Sequence, residues 1–311
     1  MFLDSDHELA RTAAAQDGVF TAQDAQLAGL EKPQVDRRVG RSWSVLYDGV
    51  YRVVGAPVTW RSEVRAAAFA AGAGAAISHR SGAEMYELPT GRRDPIEVTC
   101  MRWKRTIHSG LIVHESSRLS ARDIQLIDGI PVTTPERTIL DLASQFPWAN
   151  YLEFVVQAAR RKRLLTYESM QEMFDRHARR GLKGVSALRE LLERWDPASS
   201  PTESDMETML LQALRRHGLP EPMVQHEVFD RAGRLVARPD AAYPEFKIAI
   251  EYDSRQEHSD EFQITKDATR RNRLLGEDYV VMSARHADLK RGGQEICDLI
   301  AARMRRKPEP A

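Results

Sequence analysis

The chain has 311 residues, with 45 basic and 45 acidic side chains, so its formal net charge is zero. This length is sufficient for two or three domains. Its two cysteines, Cys100 and Cys297, exclude both a disulfide framework and a zinc module built from several cysteines. They favour a reducing, cytoplasmic location. A nucleic-acid role therefore has to depend on local basic patches and not on the field of the whole molecule.

The N-terminus and the apolar segments predict no targeting or membrane element. Residues 1–8 are acidic and lack the basic region of a signal peptide. The alanine-rich run over 66–76 is too short to span a bilayer. We therefore expect a cytoplasmic protein without a membrane partner.

Residues 1–57 are predicted to form a winged helix-turn-helix domain. Thr21 can cap the second helix, with Asp24 in the capping-box position. Asp48-Gly49, flanked by alternating apolar residues, predicts the turn of a hairpin. The expected elements are helices over 7–16, 22–28 and 34–41, followed by a hairpin over 45–53.

In this fold the third helix enters the DNA major groove and the hairpin contacts the flanking backbone. Arginine side chains can bind guanine edges or phosphates. An equally simple interpretation is a small helical domain with a hydrated basic face. The candidate DNA-binding residues here are Lys32, Gln34, Arg37, Arg38, Arg41 and Arg52.

Several strings in the first half resemble a known family. The segments over 17–21, 28–30, 35–39 and 47–51 are similar to the N-terminal domain of the AbiEi family of type IV antitoxins. Segments 77–88 and 129–142 resemble the domain that follows it in that family. The resemblance implies that the winged helix binds operator DNA and represses its own operon. It implies that the next domain serves structure or partner contact, and it leaves a cognate toxin protein open as a partner.

Residues 58–196 are expected to form a mixed α+β middle domain with a helical connector. Ser78 can cap one of its helices. The basic segment 102–108 between strands over 95–100 and 110–114 is interpreted as a hydrated hairpin tip, or alternatively as a phosphate contact. His79, His108 and His114 lack metal-ligand spacing, and His79 is interpreted as a packed or capping residue. The linker over 196–201 marks the main boundary.

The last section contains three acids near one predicted sheet edge. Residues 246–250 are predicted to form a strand that carries Glu251 and Asp253 on one side, because side chains alternate along a strand. If the preceding strand, 234–240, pairs with it, Asp240 joins them. Three convergent carboxylates favour a hard divalent cation, Mg²⁺ or alternatively Mn²⁺. Hydrated charges at a strand end remain the other interpretation.

Residues 200–306 resemble the Vsr-like branch of the PD-(D/E)XK nucleases, in strings over 200–203, 238–240, 250–253 and 266–273 and at His258. This resemblance implies a restriction-endonuclease-like α/β sandwich. Ser254 stands where this branch usually has a glycine after the aspartate of the second strand, and His258 departs from the compact Gly-x-x-His run of the branch. The resemblance implies that Asp240 and Glu251 bind the metal, that Glu203 and Asp253 complete the site, that His258 shuttles a proton, and that Lys266, Arg270 or Arg271 contacts phosphate.

The sequence thus predicts a multidomain α/β protein that binds double-stranded DNA and needs no nucleotide cofactor. One hypothesis is a metal-dependent endonuclease that the winged helix directs to its target, with the metal activating water for attack on a phosphodiester. The other is a non-catalytic, antitoxin-type transcriptional regulator whose C-terminal domain keeps the nuclease fold only to bind DNA or a partner.

Overall fold

The computed structural model describes residues 2–90, 94–103, 110–179, 181–199, 202, 204–230, 232–253 and 270–305. For residues 2–4 and 253 within these ranges, only the backbone is described. The chain divides into two compact units, Met1–Ser199 and Ser200–Ala311. Within the described residues, no helix combines the length and the apolar character that a bilayer span requires.

The first unit begins with three short helices and a small antiparallel sheet whose strand order is β1-β3-β2. Buried Leu9, Phe20, Val35 and Trp43 form the centre of its core. Removing these large apolar side chains from water provides the main stabilisation of so small a layer. The elements are α1 Phe2–Ala15, β1 Val19–Thr21, α2 Ala22–Leu27, α3 Lys32–Arg38, β2 Trp43–Tyr47 and β3 Val50–Val53.

Local signals position α2 and the hairpin as expected. The Asp24 backbone N–H donates to Thr21 Oγ1 over 3.1 Å, and the Thr21 N–H donates to Asp24 Oδ2 over 2.7 Å, which completes the predicted capping box. Gly49 has φ of 70°, which suits a tight hairpin turn. Strand β1 was not predicted, and it becomes a strand by pairing along β3.

The predicted bounds of the third helix, 34–41, were wrong at both ends. The helix begins at Lys32, because Gln34 Oε1 accepts the backbone N–H of Glu31 over 2.7 Å in a second capping box. It ends at Arg38, and Gly40 follows with φ of 78° in the left-handed region. Arg41 therefore lies in the turn after the helix and not on the helix itself.

The middle of the first unit is built on a five-stranded sheet of order β6-β5-β4-β8-β7. Strands β5 and β6 pair in parallel, so the segment between them is not the tip of a hairpin, contrary to the prediction. The predicted cap at Ser78 also lacks its side-chain hydrogen bond to the helix. The elements are α4 Trp60–Ala71, β4 Ala76–Ile77, α5 His79–Met85, β5 Ile96–Cys100, β6 Leu111–Glu115, β7 Ile124–Ile127 and β8 Ile130–Thr133.

Four further helices cover this sheet, and the first of them is central. Helix α6 packs against α5, α7, α8 and α9, and its apolar side chains belong to the largest hydrophobic cluster described. Gly184, the residue before α9, has φ of 82° and lies against the Ala143 backbone in α6. The four helices are α6 Pro135–Gln145, α7 Ala149–Arg161, α8 Tyr167–His177 and α9 Val185–Arg194.

The second unit contains a four-stranded sheet of order β14-β13-β12-β9, in which β13 pairs in parallel with β14 and β12 pairs antiparallel with both neighbours. Residues 270–276 are helical. The named elements are α10 Asp205–Arg216, β9 Met223–Val224, β10 Val228–Phe229, β11 Leu235–Ala237, β12 Ala241–Tyr243, β13 Ile248–Asp253, β14 Val280–Arg285, α11 His286–Lys290 and α12 Gln294–Arg305.

The predicted pairing partner of the strand over 234–240 was wrong. Strand β11 pairs with β10 in a separate two-stranded sheet, and the neighbour of β13 is β12. Asp240 immediately precedes β12, so it lies at the start of a strand and not at the end of one. The predicted meeting of Asp240 with the acidic strand therefore depends on β12.

Replacement of Gly184 by alanine tests the packing of α9 on α6. A Cβ at Gly184 would collide with the carbonyl oxygen of Ala143, whereas a Cβ at Gly181, with φ of 85°, meets nothing within 4 Å. Both substitutions strain the backbone, at about 1 kcal/mol each, but only Gly184→Ala also forces two helices apart. We expect Gly184→Ala to lower the free energy of unfolding by at least about 2 kcal/mol more than Gly181→Ala, as measured by urea denaturation. Equal losses would contradict the described packing.

Candidate functional site

The face of α3 and the turn after it present two unpaired cationic side chains. Arg37 lies in the last turn of α3, Arg41 lies just beyond it, and both are exposed. Neither forms an ion pair with a described side chain of the chain. Such arginines can bind phosphate oxygens or guanine edges without first breaking an internal contact.

Arg38, which the sequence grouped with them, has a structural role. Its Nη2 atom lies 2.8 Å from Asp6 Oδ2 of α1, its Nη1 donates to the Gln34 carbonyl oxygen, and its guanidinium lies 5.6 Å from the centroid of the Trp43 ring. These contacts fix α3 against α1 and the core. The sequence could not reveal this because Asp6 is distant along the chain.

The other three predicted DNA-binding residues of this domain differ in how available their side chains are for contact with DNA. Lys32 is exposed, but its Nζ lies 3.0 Å from Asp36 Oδ2 one turn along α3. The amide oxygen of Gln34 is occupied by the helix cap, which leaves its amide nitrogen to donate. Arg52 is half-buried within β3, opposite Val19. Arg37 and Arg41 are therefore the strongest candidates for contact with DNA.

In the second unit, strand register brings two of the predicted acids together. Ala241 pairs with Ile250, so the next residues outward, Asp240 and Glu251, lie opposite each other at the end of the ladder. Residues in this relation have Cα atoms about 5 Å apart and point to the same face. Asp240 Oδ2 accepts the Tyr252 backbone N–H over 2.8 Å, which fixes its carboxylate beside β13.

A cation from the protein already lies at this pair of acids. Arg270 Nη2 lies 2.6 Å from Glu251 Oε1, from the helical segment 270–276. A guanidinium at this position neutralises one of the two carboxylates that a metal ion would need. Arg271, the other described phosphate-contact candidate here, is exposed.

The remaining predicted residues of this site lie outside the described part of the chain. These are Glu203, His258, Lys266 and the side chain of Asp253. A further acid, Glu207, was not among the predicted site residues, and it is buried in α10. Burial, together with the negative charges of Glu207 and Asp240, strongly raises the pKa of Tyr252. Glu207 thus lies near the same corner of the sheet.

The middle of the first unit contains a histidine cluster that sequence spacing missed. His79 is the first residue of α5, Glu97 lies in β5 and His114 lies in β6, and their ligand atoms all lie within 4.8 Å of one another. Among the described residues this is the group of three that could hold a metal ion. Burial lowers the pKa of His79 to about 4, so its imidazole is neutral near pH 7. Parallel pairing of β5 with β6, which places Glu97 beside Ile112 and Thr99 beside His114, creates the cluster.

A second buried carboxylate lies close by and organises the same domain. Asp123 is fully buried, and its Oδ1 lies 2.8 Å from Arg176 Nη1 and 3.0 Å from His177 Nε2. The Ser120 backbone N–H and hydroxyl also donate to it. Burial alone raises a carboxyl pKa, but hydrogen bonds from His177 and Ser120, with Arg176, hold the pKa of Asp123 well below its usual range.

Comparison with known proteins finds a family match for the middle of the chain. Residues 67–194 match the family model of the AbiEi antitoxin C-terminal domain. The chain is also 29% identical, over 197 residues, to uncharacterized protein MT2308 of Mycobacterium tuberculosis strain CDC 1551 / Oshkosh and to uncharacterized protein Rv2248 of strain H37Rv. Each alignment covers 63% of this chain and 69% of the relative. The AbiEi resemblance of segments 77–88 and 129–142 is thereby confirmed, whereas the assignments of residues 1–57 and 200–306 stay predictions.

Substitution of Asp123 by asparagine tests the buried carboxylate. The substitution removes a counter-charge from Arg176 and from the buried Arg137, whose Nη1 lies 3.7 Å from Asp123 Oδ2, so we expect a loss of about 3 kcal/mol in the free energy of unfolding at pH 7. The folded-state pKa is depressed, so the stabilisation is present above the ordinary carboxyl pKa near 4 and is lost as pH falls below it. The difference between wild type and Asp123→Asn should therefore narrow below pH 4 in urea denaturation. Asp175→Asn, at an exposed carboxylate of α8, should change stability little.

Proposed function

We propose that this chain is a non-catalytic, DNA-binding regulator of the type IV antitoxin kind. The observation that carries the proposal is the match of residues 67–194 to the AbiEi antitoxin C-terminal domain, directly after a small domain with exposed arginines at the end of its third helix and in the turn that follows. In this proposal residues 1–57 act as a winged helix-turn-helix, with α3 in the major groove and the β2–β3 hairpin against the backbone.

Two features of the first unit support this role. The hairpin turn is held to the helix-turn-helix, because the Ala22 backbone N–H donates to the Gly49 carbonyl oxygen over 2.8 Å. Asp17 and α4 also join the small domain to the AbiEi-like domain, since Arg65 Nε lies 2.7 Å from Asp17 Oδ2 and Arg61 Nε lies 3.3 Å from Asp17 Oδ1. A rigid connection of this kind would let partner contact on the second domain influence DNA binding by the first. A cognate toxin protein is the partner that the proposal expects.

Arg37 and Arg41 provide the direct test of DNA binding. We expect the double variant Arg37→Ala/Arg41→Ala to bind DNA from upstream of its own gene at least about tenfold more weakly in a gel-shift titration. If both side chains contact phosphates, the slope of log affinity against log salt should also fall by about 2. Arg122→Ala, at an exposed arginine outside residues 1–57, is the matched control and should bind like wild type. Unchanged binding by the double variant would remove α3 from the interface.

A second candidate function is hydrolysis of DNA with Mg²⁺ or Mn²⁺ at Asp240 and Glu251. The register of β12 with β13 favours it, because it places these two acids side by side. The ion pair between Arg270 and Glu251 opposes it, because the guanidinium occupies one of the two ligands. In the regulator proposal, the second unit keeps this arrangement to bind DNA or a partner, with Arg271 free to contact phosphate.

A plasmid-nicking assay separates the two functions. With Mg²⁺ or Mn²⁺, we expect wild type to shift DNA without cutting it, because Glu251 is already neutralised. The variants Arg270→Ala and Asp240→Asn are assayed beside it. Metal-dependent nicking by wild type that disappears in Asp240→Asn would replace the regulator proposal with the nuclease. Nicking that appears only in Arg270→Ala would show a site that the arginine blocks, and wild type would remain non-catalytic.

A further inference from the structure

We propose that His79, Glu97 and His114 form a binding site for a transition-metal ion of the zinc class within the AbiEi-like domain. The two imidazole rings are stacked, with their centroids 3.6 Å apart and their planes inclined by 23°. His114 Nε2 lies 2.8 Å from Glu97 Oε2. Two imidazoles and one carboxylate are a common ligand set for zinc in proteins.

The spacing is close to what an ion needs. The ligand atoms of the three residues all lie within 4.8 Å of one another. A tetrahedral zinc ion with bonds of about 2.0–2.1 Å holds its ligand atoms about 3.4 Å apart. Each ligand atom thus has to move by about 1 Å or less, and the two stacked rings also have to rotate, because the lone pair of an imidazole nitrogen lies in the ring plane and must point at the ion. In doing so, the ion would replace the proton now shared between His114 and Glu97.

Neighbouring polar groups already orient two of the ligands. Ser78 Oγ lies 2.9 Å from His79 Nδ1, and Thr99 Oγ1 donates to the same Ser78 oxygen over 2.7 Å. When His79 Nδ1 donates to Ser78, the ring Nε2 retains the lone pair that a metal requires. Arg80 Nε lies 2.8 Å from Glu97 Oε1, which fixes the carboxylate and offsets part of its charge. Oε2 faces His114 Nε2 and also accepts a hydrogen bond from Gln145 Nε2.

The backbone and the surrounding space also distinguish this cluster from an ordinary buried network. His79 has φ of 52°, in the left-handed region that a non-glycine residue rarely occupies, and such strain concentrates at functional sites. A cavity of about 450 Å³ is lined by both histidines and also by Arg137 and Ser144. Glu97 does not line this cavity, so the space beside the two histidines is where a water molecule or a small oxygen ligand would complete the coordination.

The proposed metal site is separate from the residues proposed to contact DNA. The cluster lies entirely within the middle of the first unit, whereas the proposed DNA contacts are in α3 and the turn after it. It is also separate from the acids of the second unit. A protein that fails to bind zinc can still shift DNA, and one that fails to shift DNA can still bind zinc.

Equilibrium dialysis of the full chain against zinc tests the site. After removal of bound metal with a chelator, we expect wild type to take up one zinc ion per chain, and Co²⁺ to give the intense visible absorption of tetrahedral coordination. His114→Gln removes a ligand whose side chain is partly exposed, and should weaken binding at least about tenfold. His7→Gln, at an exposed histidine of α1, is the matched control and should bind like wild type. Asp240→Asn should also bind like wild type.

Three results would overturn the proposal: folded wild type that takes up no zinc, full binding by His114→Gln, or loss of binding in Asp240→Asn. Thermal unfolding gives a second measurement for the same variants and detects any that fail to fold. Zinc should raise the melting temperature of wild type and of His7→Gln, and should raise that of His114→Gln by clearly less. An equal rise in wild type and His114→Gln would place the ion elsewhere and would count against the site.

Discussion

A buried negative charge in the middle domain, the carboxylate of Glu97, constrains the elements around it. Burial opposes its ionisation, but hydrogen bonds from His114 and Arg80 outweigh this and lower its pKa to about 2. A charge removed from water is tolerated only when partners surround it. Its partners come from three different elements: Arg80 from α5, His114 from β6 and Gln145 from the end of α6. The packing of these elements and the position of the cavity therefore depend on one side chain.

The proposed DNA binding and the proposed metal binding require different features of the fold. Binding of DNA needs a rigid surface with free cations, and the core around Phe20 and Trp43 supplies the rigidity while Arg37 and Arg41 supply the charge. Binding of a metal needs convergent ligands next to open space, and the sheet of the middle domain supplies both. In the second unit the ion pair between Arg270 and Glu251 satisfies locally the charge that would otherwise attract a metal.

Much of the local structure could be predicted because its causes are local. The capping box at Thr21, the turn at Gly49 and the order of helices and strands follow from residues that are near neighbours in sequence. Errors arose wherever a distant residue decided the outcome. Strand β1 exists because β3 pairs with it, and Arg38 is structural because Asp6 reaches it from α1. The predicted strand over 234–240 failed for the same reason, since strand partners are chosen by the whole sheet.

The sequence by itself determined the capping box at Thr21, the turn at Gly49, the basic character of residues 32–41 and the likeness of residues 67–194 to an antitoxin domain. These properties depend on short stretches of side chains whose chemistry is fixed before folding. Only the tertiary structure decided that His79 and His114 stack beside Glu97, because parallel pairing of β5 with β6 joins residues that have no regular spacing. Likewise, only the fold decided which cations stay free, since an arginine's partner is selected by distance in space and not along the chain.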